Sequence, residues 1–234
     1  KLYNALELVV ASVSDETGSE KIIIDNDIVL KHVQKNLALY DKNGEQHYDI
    51  ISAFIKSMRG SDPNAAVYWL ARMVEGGEDP KFIARRMVIL AAEDIGMANP
   101  NALLLAQATF EAVNVIGWPE SRIILSETAV YLATSQKSNA SYMAIENASG
   151  MVKEKGDLPV PLQIRNAPTK LMKDLGYHKD YKYAHSYSGN FVQDNFLPEE
   201  IRGTKFYEPG TNQREEDIRK RLAGMWKDIY DYDK

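Results

Sequence analysis

The chain has 234 residues, of which 44% are hydrophobic and 26% charged, and its formal net charge is −5 at pH 7. This composition is typical of a soluble globular protein with a sizeable core. It contains no cysteine, which excludes a disulfide scaffold, a thiolate metal site and a cysteine nucleophile. No apolar run approaches the roughly 18 residues of a membrane-spanning helix, and the first residues lack a signal-peptide core.

The first part of the chain predicts helices followed by a hinge. Residues 1–40 carry apolar positions at helical spacing. The chain begins as if inside a helix, so we interpret it as part of a longer protein. Residues 41–47 contain Asp41, Asn43 and Gly44, which favour a loop.

Residues that favour helix starts and helix ends recur at regular intervals over residues 48–156, which predicts an array of helices. Asp or Asn before Pro starts a helix well, because the side chain caps the first turn and Pro lacks an N–H that this turn leaves unpaired. Glycine favours the left-handed conformation that ends many helices. The predicted starts are Asp62-Pro63, Asp79-Pro80, Asn99-Pro100 and Trp118-Pro119, and the predicted ends are Gly60, Gly76, Gly96 and Gly117. Short connections between helices favour antiparallel packing of neighbouring helices. We predict that Tyr68 and Trp69, in the helix that starts at Pro63, lie in the core.

The composition changes in residues 157–234, which form a Pro/Tyr-rich extension. Its first residues are extended, because each Pro disfavours helix at the preceding residue. Residues 168–175 predict one short helix, residues 177–206 irregular structure, and residues 213–230 a longer helix. The fold class predicted for the whole chain is all-α, with this extension packed over the helical body.

None of the motifs that resemble catalytic sites lies in the predicted secondary structure that its chemistry requires. Residues 88–94 resemble the apolar run of a Walker B motif, but they lie inside a predicted helix and their acidic order is reversed. The phosphate-binding pattern Gly-x-x-x-x-Gly-Lys-Ser/Thr does not occur in the sequence. We therefore predict no catalytic residue and no cofactor in this chain. Arg86 and Glu93 share one predicted helix face and are predicted to form a structural ion pair instead.

Metal and nucleophile sites are not predicted either. The four histidines are scattered, and none belongs to a His-Glu-x-x-His pattern. Ser126 and Ser186 lack the context of a nucleophile elbow. A hydrolase that uses Glu93, Asp94 and a histidine remains a third hypothesis, although these residues are poorly spaced.

The segment 158–187, called the basic segment below, interleaves cations with tyrosines. Its candidate contacts for an anion, DNA or a partner are Arg165, Lys170, Lys173, Lys179 and Lys182. Its tyrosines are Tyr177, Tyr181, Tyr183 and Tyr187. Cations attract phosphates, and tyrosine rings stack on unpaired bases. Three interpretations stay open: a solvated face whose tyrosines pack on the body, a nucleic-acid contact, and a contact with a protein partner.

Several strings resemble one family along nearly the whole chain. They are RGSDPNAAVYWLARM at 59–73, AEDIG at 92–96, KSNA at 137–140, LPVPL at 158–162, RNAPTKLM at 165–172, LGY at 175–177, YAH at 183–185 and LPE at 197–199. These strings resemble the replication-associated recombination protein A family. Its members are RarA/MgsA-type AAA+ ATPases, related to eukaryotic Werner-helicase-interacting proteins.

The resemblance implies a domain organisation. The motor, with both Walker motifs, the arginine finger and the sensors, would lie upstream of this chain. Residues 1–40 would be the remainder of the AAA+ lid, and residues 41–47 the hinge. Residues 48–156 would form the helical oligomerisation domain, or collar, of clamp-loader type. Residues 157–234 would be the family's own extension.

The resemblance also implies a function. This chain would be the non-catalytic assembly region of a DNA-dependent AAA+ ATPase in replication-fork maintenance and recombination. The parent would bind ATP, Mg²⁺ and DNA, form a homotetramer, and act in the cytoplasm at the nucleoid. Single-stranded-DNA-binding protein would be a further partner. The alternative is a helical module that recruits a replication protein without self-assembly.

Overall fold

The computed structural model describes Val10 and residues 45–232. Every regular element in these residues is helical, and the described part of the chain contains no strand, which confirms the predicted all-α class. Apart from Val10, the predicted lid (residues 1–40) lies outside the described residues, as do hinge residues 41–44. None of the described helices is long and apolar enough to cross a membrane.

The described part of the chain divides into two compact units, of which the first includes residues 45–91 and 102–135. Its described helices are α1 (Glu45–Arg59), α2 (Pro63–Glu75), α3 (Pro80–Leu90), α4 (Asn101–Ile116) and α5 (Ser121–Thr134). Helix α5 packs against α1, α2 and α3, and α1 also packs against α2 and α3. Helix α1 begins at Glu45, so residues 45–47 of the predicted hinge are helical.

Two of the predicted helix starts are capped as the sequence indicates. The Asp62 carboxylate accepts hydrogen bonds from the backbone N–H groups of Asn64 and Ala65, each at 3.0 Å. The Asp79 carboxylate accepts one from Lys81 at 2.9 Å. Pro63 and Pro80 then occupy first-turn positions, where a missing N–H costs nothing. The other two helices begin slightly later than predicted, at Asn101 and Ser121.

The core of the first unit is built from large apolar side chains. Those that are at most 1% exposed include Phe54, Met58, Met73, Ile83, Met87, Leu90, Leu125 and Leu132. The assignment of Tyr68 to this core is wrong, since Tyr68 is 57% exposed. Helix α2 buries Ala66, Leu70 and Met73, and a residue two positions before Leu70 projects from another face of the helix. Tyr68 lies edge-on to Trp69, with ring centroids 5.0 Å apart.

The second unit includes residues 92–101 and 136–232. Its helices in the described region are α6 (Ala140–Lys155), α7 (Lys170–Asp174) and α8 (Gln213–Trp226). Helices α7 and α8 confirm the two helices predicted in the extension, and residues 177–206 contain no helix longer than a 3₁₀ turn. Residues 136–156 belong to the same unit as the extension. The predicted domain boundaries stay predictions.

A π-helical turn at Ala91–Ile95 and a 3₁₀ turn at Gly96–Ala98 interrupt the helix predicted to run from Pro80 to Gly96. Gly96 has φ +47°, and a Cβ there would lie 3.0 Å from the Ser138 carbonyl oxygen and the Ser141 hydroxyl. This position therefore requires glycine. The Ser138 N–H donates to the Asp94 carbonyl at 2.8 Å, which ties the turn to the residues just before α6.

Aromatic side chains hold the extension together around α8. The Trp226 ring lies 5.2 Å from Phe191 and 5.5 Å from Tyr230, measured between centroids. The pair with Phe191 is edge-to-face, an arrangement that stabilises beyond the apolar area that it buries. At the other end of α8, the Asn212 side chain accepts a hydrogen bond from the Glu215 N–H at 3.1 Å and caps the helix.

Candidate functional site

Arg165 is engaged inside the basic segment. Its Nε donates to the Val160 carbonyl at 2.6 Å, and its Nη1 donates to the Tyr177 hydroxyl at 3.2 Å. The guanidinium carbon lies 5.1 Å from the centre of the Tyr177 ring, in cation–π range. These contacts fix the Tyr177 ring, so Arg165 acts as a positioning residue for its neighbours.

Lys182 also has a partner within the second unit. Its ammonium lies 3.8 Å from Asp194 Oδ2. The Asp194 carboxylate also accepts the backbone N–H of Asn195 at 2.8 Å. The pair is partly exposed and therefore contributes little to stability, but the carboxylate offsets the positive charge of Lys182 locally.

Lys170 and Lys173 lie on α7, whose first turn is capped by Thr169. The Thr169 hydroxyl accepts the Met172 N–H at 3.3 Å. Both lysines are exposed, as is Lys179 beyond the helix. Within the described residues, no carboxylate lies within ion-pair distance of these three ammonium groups.

Two clefts of about 370 Å³ each adjoin one another at Lys179. The first, called the lysine cleft, is lined by Asn166, Ala167, Lys173, Tyr177, His178 and Lys179. The second is lined by Leu162, Gln163, Gly176, Lys179, Asp180, Lys182 and Asp194. The lysine cleft brings together two of the five predicted contacts without a carboxylate in its lining. The second cleft is of mixed charge.

Aromatic rings flank the lysine cleft. His178 and Tyr181 stack with centroids 4.7 Å apart and an interplanar angle of 27°. Tyr177 is half-buried, whereas Tyr181, Tyr183 and Tyr187 are 40%, 58% and 45% exposed. The basic segment therefore presents both ammonium groups and tyrosine faces to solvent.

The predicted ion pair between Arg86 and Glu93 stays a prediction. Arg86 lies in α3, and its Nε is buried without a hydrogen-bond partner among the described residues. Glu93 lies in the π-helical turn. The residues between them are α-helical up to Leu90 and π-helical beyond it, whereas the prediction assumed one continuous α-helix.

Sequence reasoning missed two kinds of residue. Asn166 and His178 line the lysine cleft, and no motif marks them. The second kind comprises exposed apolar residues of α4, of which Leu104 and Val115 are 68% and 83% exposed. The signal was present, since α4 is apolar around most of its circumference, which is typical of a helix covered on all sides. In the part of the chain that the structure describes, no three His, Asp or Glu side chains come together as a metal site.

The comparison with protein families gives a direct result. A family model described as "MgsA AAA+ ATPase C terminal" matches residues 60–226, well over half of the chain. The chain belongs to the MgsA AAA+ ATPase family. A second model, described as "AAA C-terminal domain", matches residues 1–59. The resemblance drawn from the residues is thereby confirmed.

Individual relatives agree with the family. The chain is 44% identical over 220 residues to Replication-associated recombination protein A of Coxiella burnetii, covering 94% of this chain and 50% of that protein. It is 38% identical over 226 residues to the Escherichia coli K12 protein of the same name, covering 96% and 50%. It is 45% identical over 177 residues to ATPase WRNIP1 of Dictyostelium discoideum, covering 75% and 20%. The chain thus spans about half the length of the bacterial relatives.

Proposed function

We propose that this chain is the non-catalytic assembly region of a DNA-dependent AAA+ ATPase that acts in replication-fork maintenance and recombination. It drives the formation of a homotetramer in the cytoplasm, at the nucleoid. ATP and Mg²⁺ are bound by the motor of the whole protein rather than by this chain. The observation that carries the proposal is the exposed apolar side of α4.

Helix α4 buries a narrow stripe and exposes apolar side chains opposite it. The buried stripe is Ala102, Ala106, Thr109 and Val113. Leu104 and Val115 are eleven residues apart, about three helical turns, so they lie on one line along the helix. At 100° per residue, that line is on the side opposite the buried stripe. Leu103 and Ile116 are 41% and 47% exposed but flank the buried stripe, each about 100° around the helix from that line. The exposed side also carries Gln107 and Glu111, whose side chains share a hydrogen bond of 3.0 Å.

Such a surface is costly in water. Exposing apolar area costs about 25 cal/mol per Å², so the exposed side chains of Leu104 and Val115 would gain free energy from burial against a partner. Helix α5 has exposed apolar side chains of its own, since Ile123 and Val130 are 58% and 40% exposed. A second copy of the chain supplies the same apolar side, and self-association would cover it on both copies.

Assembly has a mechanical purpose in this family of motors. The ATP sites of AAA+ proteins form between subunits, so a collar that fixes subunit spacing raises the effective concentration of neighbouring motors. The names of the relatives place them in recombination associated with replication. A shared assembly region is consistent with their matching this chain along nearly its whole length.

The test is the solution mass of the chain by light scattering across protein and salt concentrations. We expect a tetramer, and we expect Leu104→Lys with Val115→Lys to shift the mass toward the monomer, because each lysine would bury a charge in the interface. Leu171→Lys is the matched control, since Leu171 is 67% exposed and Leu104 68%. The control should keep the mass of the unaltered chain.

A monomer at high micromolar concentration would overturn the assembly proposal. The alternative, a helical module that recruits a replication protein such as single-stranded-DNA-binding protein, would then stand. The observation that favours it is the lysine cleft, which offers two ammonium groups to an acidic ligand. A tetramer unaffected by the double substitution would instead move the interface away from α4.

A further inference from the structure

We propose that the lysine cleft and the Tyr181 ring beside it bind single-stranded nucleic acid. The ammonium groups of Lys173 and Lys179 would hold the phosphodiester backbone, and Tyr181 would stack on a base. This inference rests on the proposed function in one respect, which is that the parent acts on DNA. It adds a DNA contact that lies in the extension and is independent of the motor.

The structure reduces five candidate cations to two. Arg165 is committed to the Val160 carbonyl and the Tyr177 hydroxyl, and Lys182 is offset by Asp194. Lys170 is exposed on α7 but does not line either cleft. Lys173 and Lys179 remain, and both line the same concave site. Two cations converging on one cleft recognise an anion better than scattered surface charges do.

The lining of the lysine cleft suits a nucleotide. Its volume of about 370 Å³ falls in the range of roughly 300–1,000 Å³ that is typical of small-ligand sites. The Asn166 amide and the His178 ring supply hydrogen-bonding groups beside the two ammonium groups. Arg165 fixes Tyr177, so one wall of the cleft is positioned before any ligand arrives.

The aromatic rings favour an unpaired strand over a duplex. Tyr181 is 40% exposed and is stacked on His178, which holds its ring in place. Tyr183, at 58% exposure, offers a further ring. Base stacking on aromatic side chains requires bases that are not paired, and any base supplies a face for it. An acidic peptide would use the lysines but would gain nothing from these rings.

The test is the binding of a fluorescently labelled single-stranded oligothymidylate to the whole chain, measured by anisotropy at several salt concentrations. Lys173→Ala with Lys179→Ala should weaken binding roughly tenfold near physiological salt and reduce the slope of log K against log [salt] by about 1.4. Lys220→Ala with Lys227→Ala removes the same charge from exposed positions of α8 and its C-terminal cap, and should leave affinity nearly unchanged.

Tyrosine variants test the stacking part. Tyr181→Ala should weaken binding about tenfold, whereas Tyr181→Phe should retain it. Tyr142→Ala is the matched control, because Tyr142 has the same exposure of 40% and lies outside the basic segment. Equal effects of the two alanine substitutions would overturn the stacking assignment.

Three results would overturn the inference as a whole. They are no binding by the unaltered chain at low salt, equal affinity for duplex and single strand, or full competition by polyglutamate with no effect of Tyr181→Ala. Light scattering on the same samples separates the two proposals. A tetramer that does not bind the oligonucleotide contradicts this inference alone, and a monomer that binds it contradicts the assembly proposal alone.

Discussion

The Tyr207 hydroxyl donates a hydrogen bond to Glu215 Oε1 at 3.2 Å, although the Glu215 side chain is 0% exposed. The side chains of Ser138 and Asn212 and the N–H of Gly210 also donate to this carboxylate. Burial alone raises the pKa of a carboxyl group, but here the hydrogen bonds outweigh it and hold the pKa of Glu215 below its ordinary value. Burial and the neighbouring charge of Glu215 raise the pKa of Tyr207 to about 12.

Glu215→Gln should destabilise the second unit by about 1–3 kcal/mol at neutral pH, because an amide NH₂ would face groups that donate hydrogen bonds. The pH dependence has a definite sign. A depressed folded-state pKa stabilises the fold fully above the unfolded pKa, about 4.3, and this contribution is lost as pH falls through the folded pKa. Urea unfolding at a series of acidic pH values measures it.

The control for Glu215 is Glu200→Gln, at an exposed position in a 3₁₀ turn. The unaltered chain and the Glu200 variant should lose stability together as the solution becomes acidic. The free energy of unfolding of the Glu215 variant should be lower at neutral pH and should decrease less as the pH falls. Parallel curves for all three proteins would mean that Glu215 is not ionised in the fold.

Gly210→Ala should destabilise the chain through the same carboxylate. A Cβ at this position would lie 2.7 Å from Glu215 Oε2 and 3.2 Å from the Ser138 hydroxyl. Glu215 is held by several hydrogen bonds and cannot move away without losing them. We expect a loss of about 1–3 kcal/mol in the free energy of unfolding, the usual cost of overpacking, measured by urea denaturation.

Gly224→Ala is the matched control, because it makes the same substitution within α8, where a Cβ would meet nothing within 4 Å. Alanine has the higher helix propensity, so this variant should gain about 0.5–1 kcal/mol. The two substitutions should therefore change stability in opposite directions. A loss of similar size in both variants would contradict a specific role for the space at Gly210.

Most of the helical fold was predictable because its signals are local. Asp62 and Asp79 cap the helices that follow them, and the reason is visible within three residues of each cap. The π-helical turn after Leu90 was not predictable in this way. The Ser138 N–H donates to the Asp94 carbonyl in this turn, a contact between residues far apart in the sequence that no local pattern indicates.

The candidate site was predictable in kind but not in detail. The mixture of lysines and tyrosines marked the basic segment, but sequence could not reveal that Arg165 and Lys182 are engaged internally. Burial of Glu215 was equally hidden, because its donors come from Ser138 as well as from its own neighbourhood. The exposed side of α4 escaped notice since apolar residues are normally taken as core, whichever molecule covers them.

Asp62→Ala should destabilise α2 by about 1 kcal/mol. The carboxylate accepts the N–H groups of Asn64 and Ala65, which would otherwise lack partners in the first turn. Asp62→Asn should recover most of the loss, because its side-chain oxygen can accept the same bonds. Equilibrium denaturation of the three proteins measures the difference. Equal stability of the Ala and Asn variants would show that capping contributes nothing here.

The hydroxyls of Thr109 and Thr128 lie 2.5 Å apart between α4 and α5, and each residue is 1% exposed. Their hydrogen bond stabilises the fold only when both hydroxyls are present. Thr128→Val should cost about 1–3 kcal/mol, because it leaves the Thr109 hydroxyl buried without this partner. Thr109→Val should have a similar cost for the same reason.

Replacing both threonines with valine should cost less than the sum of the two single substitutions, because no buried hydroxyl is then left without its partner. A double-mutant cycle from urea denaturation gives the coupling energy, expected at about 1 kcal/mol or more for groups in direct contact. Thr134→Val is the control, since its exposed hydroxyl donates to the Val130 carbonyl within α5. Paired with either buried threonine, it should show additive effects. Strict additivity between Thr109 and Thr128 would mean that the two hydroxyls do not depend on each other.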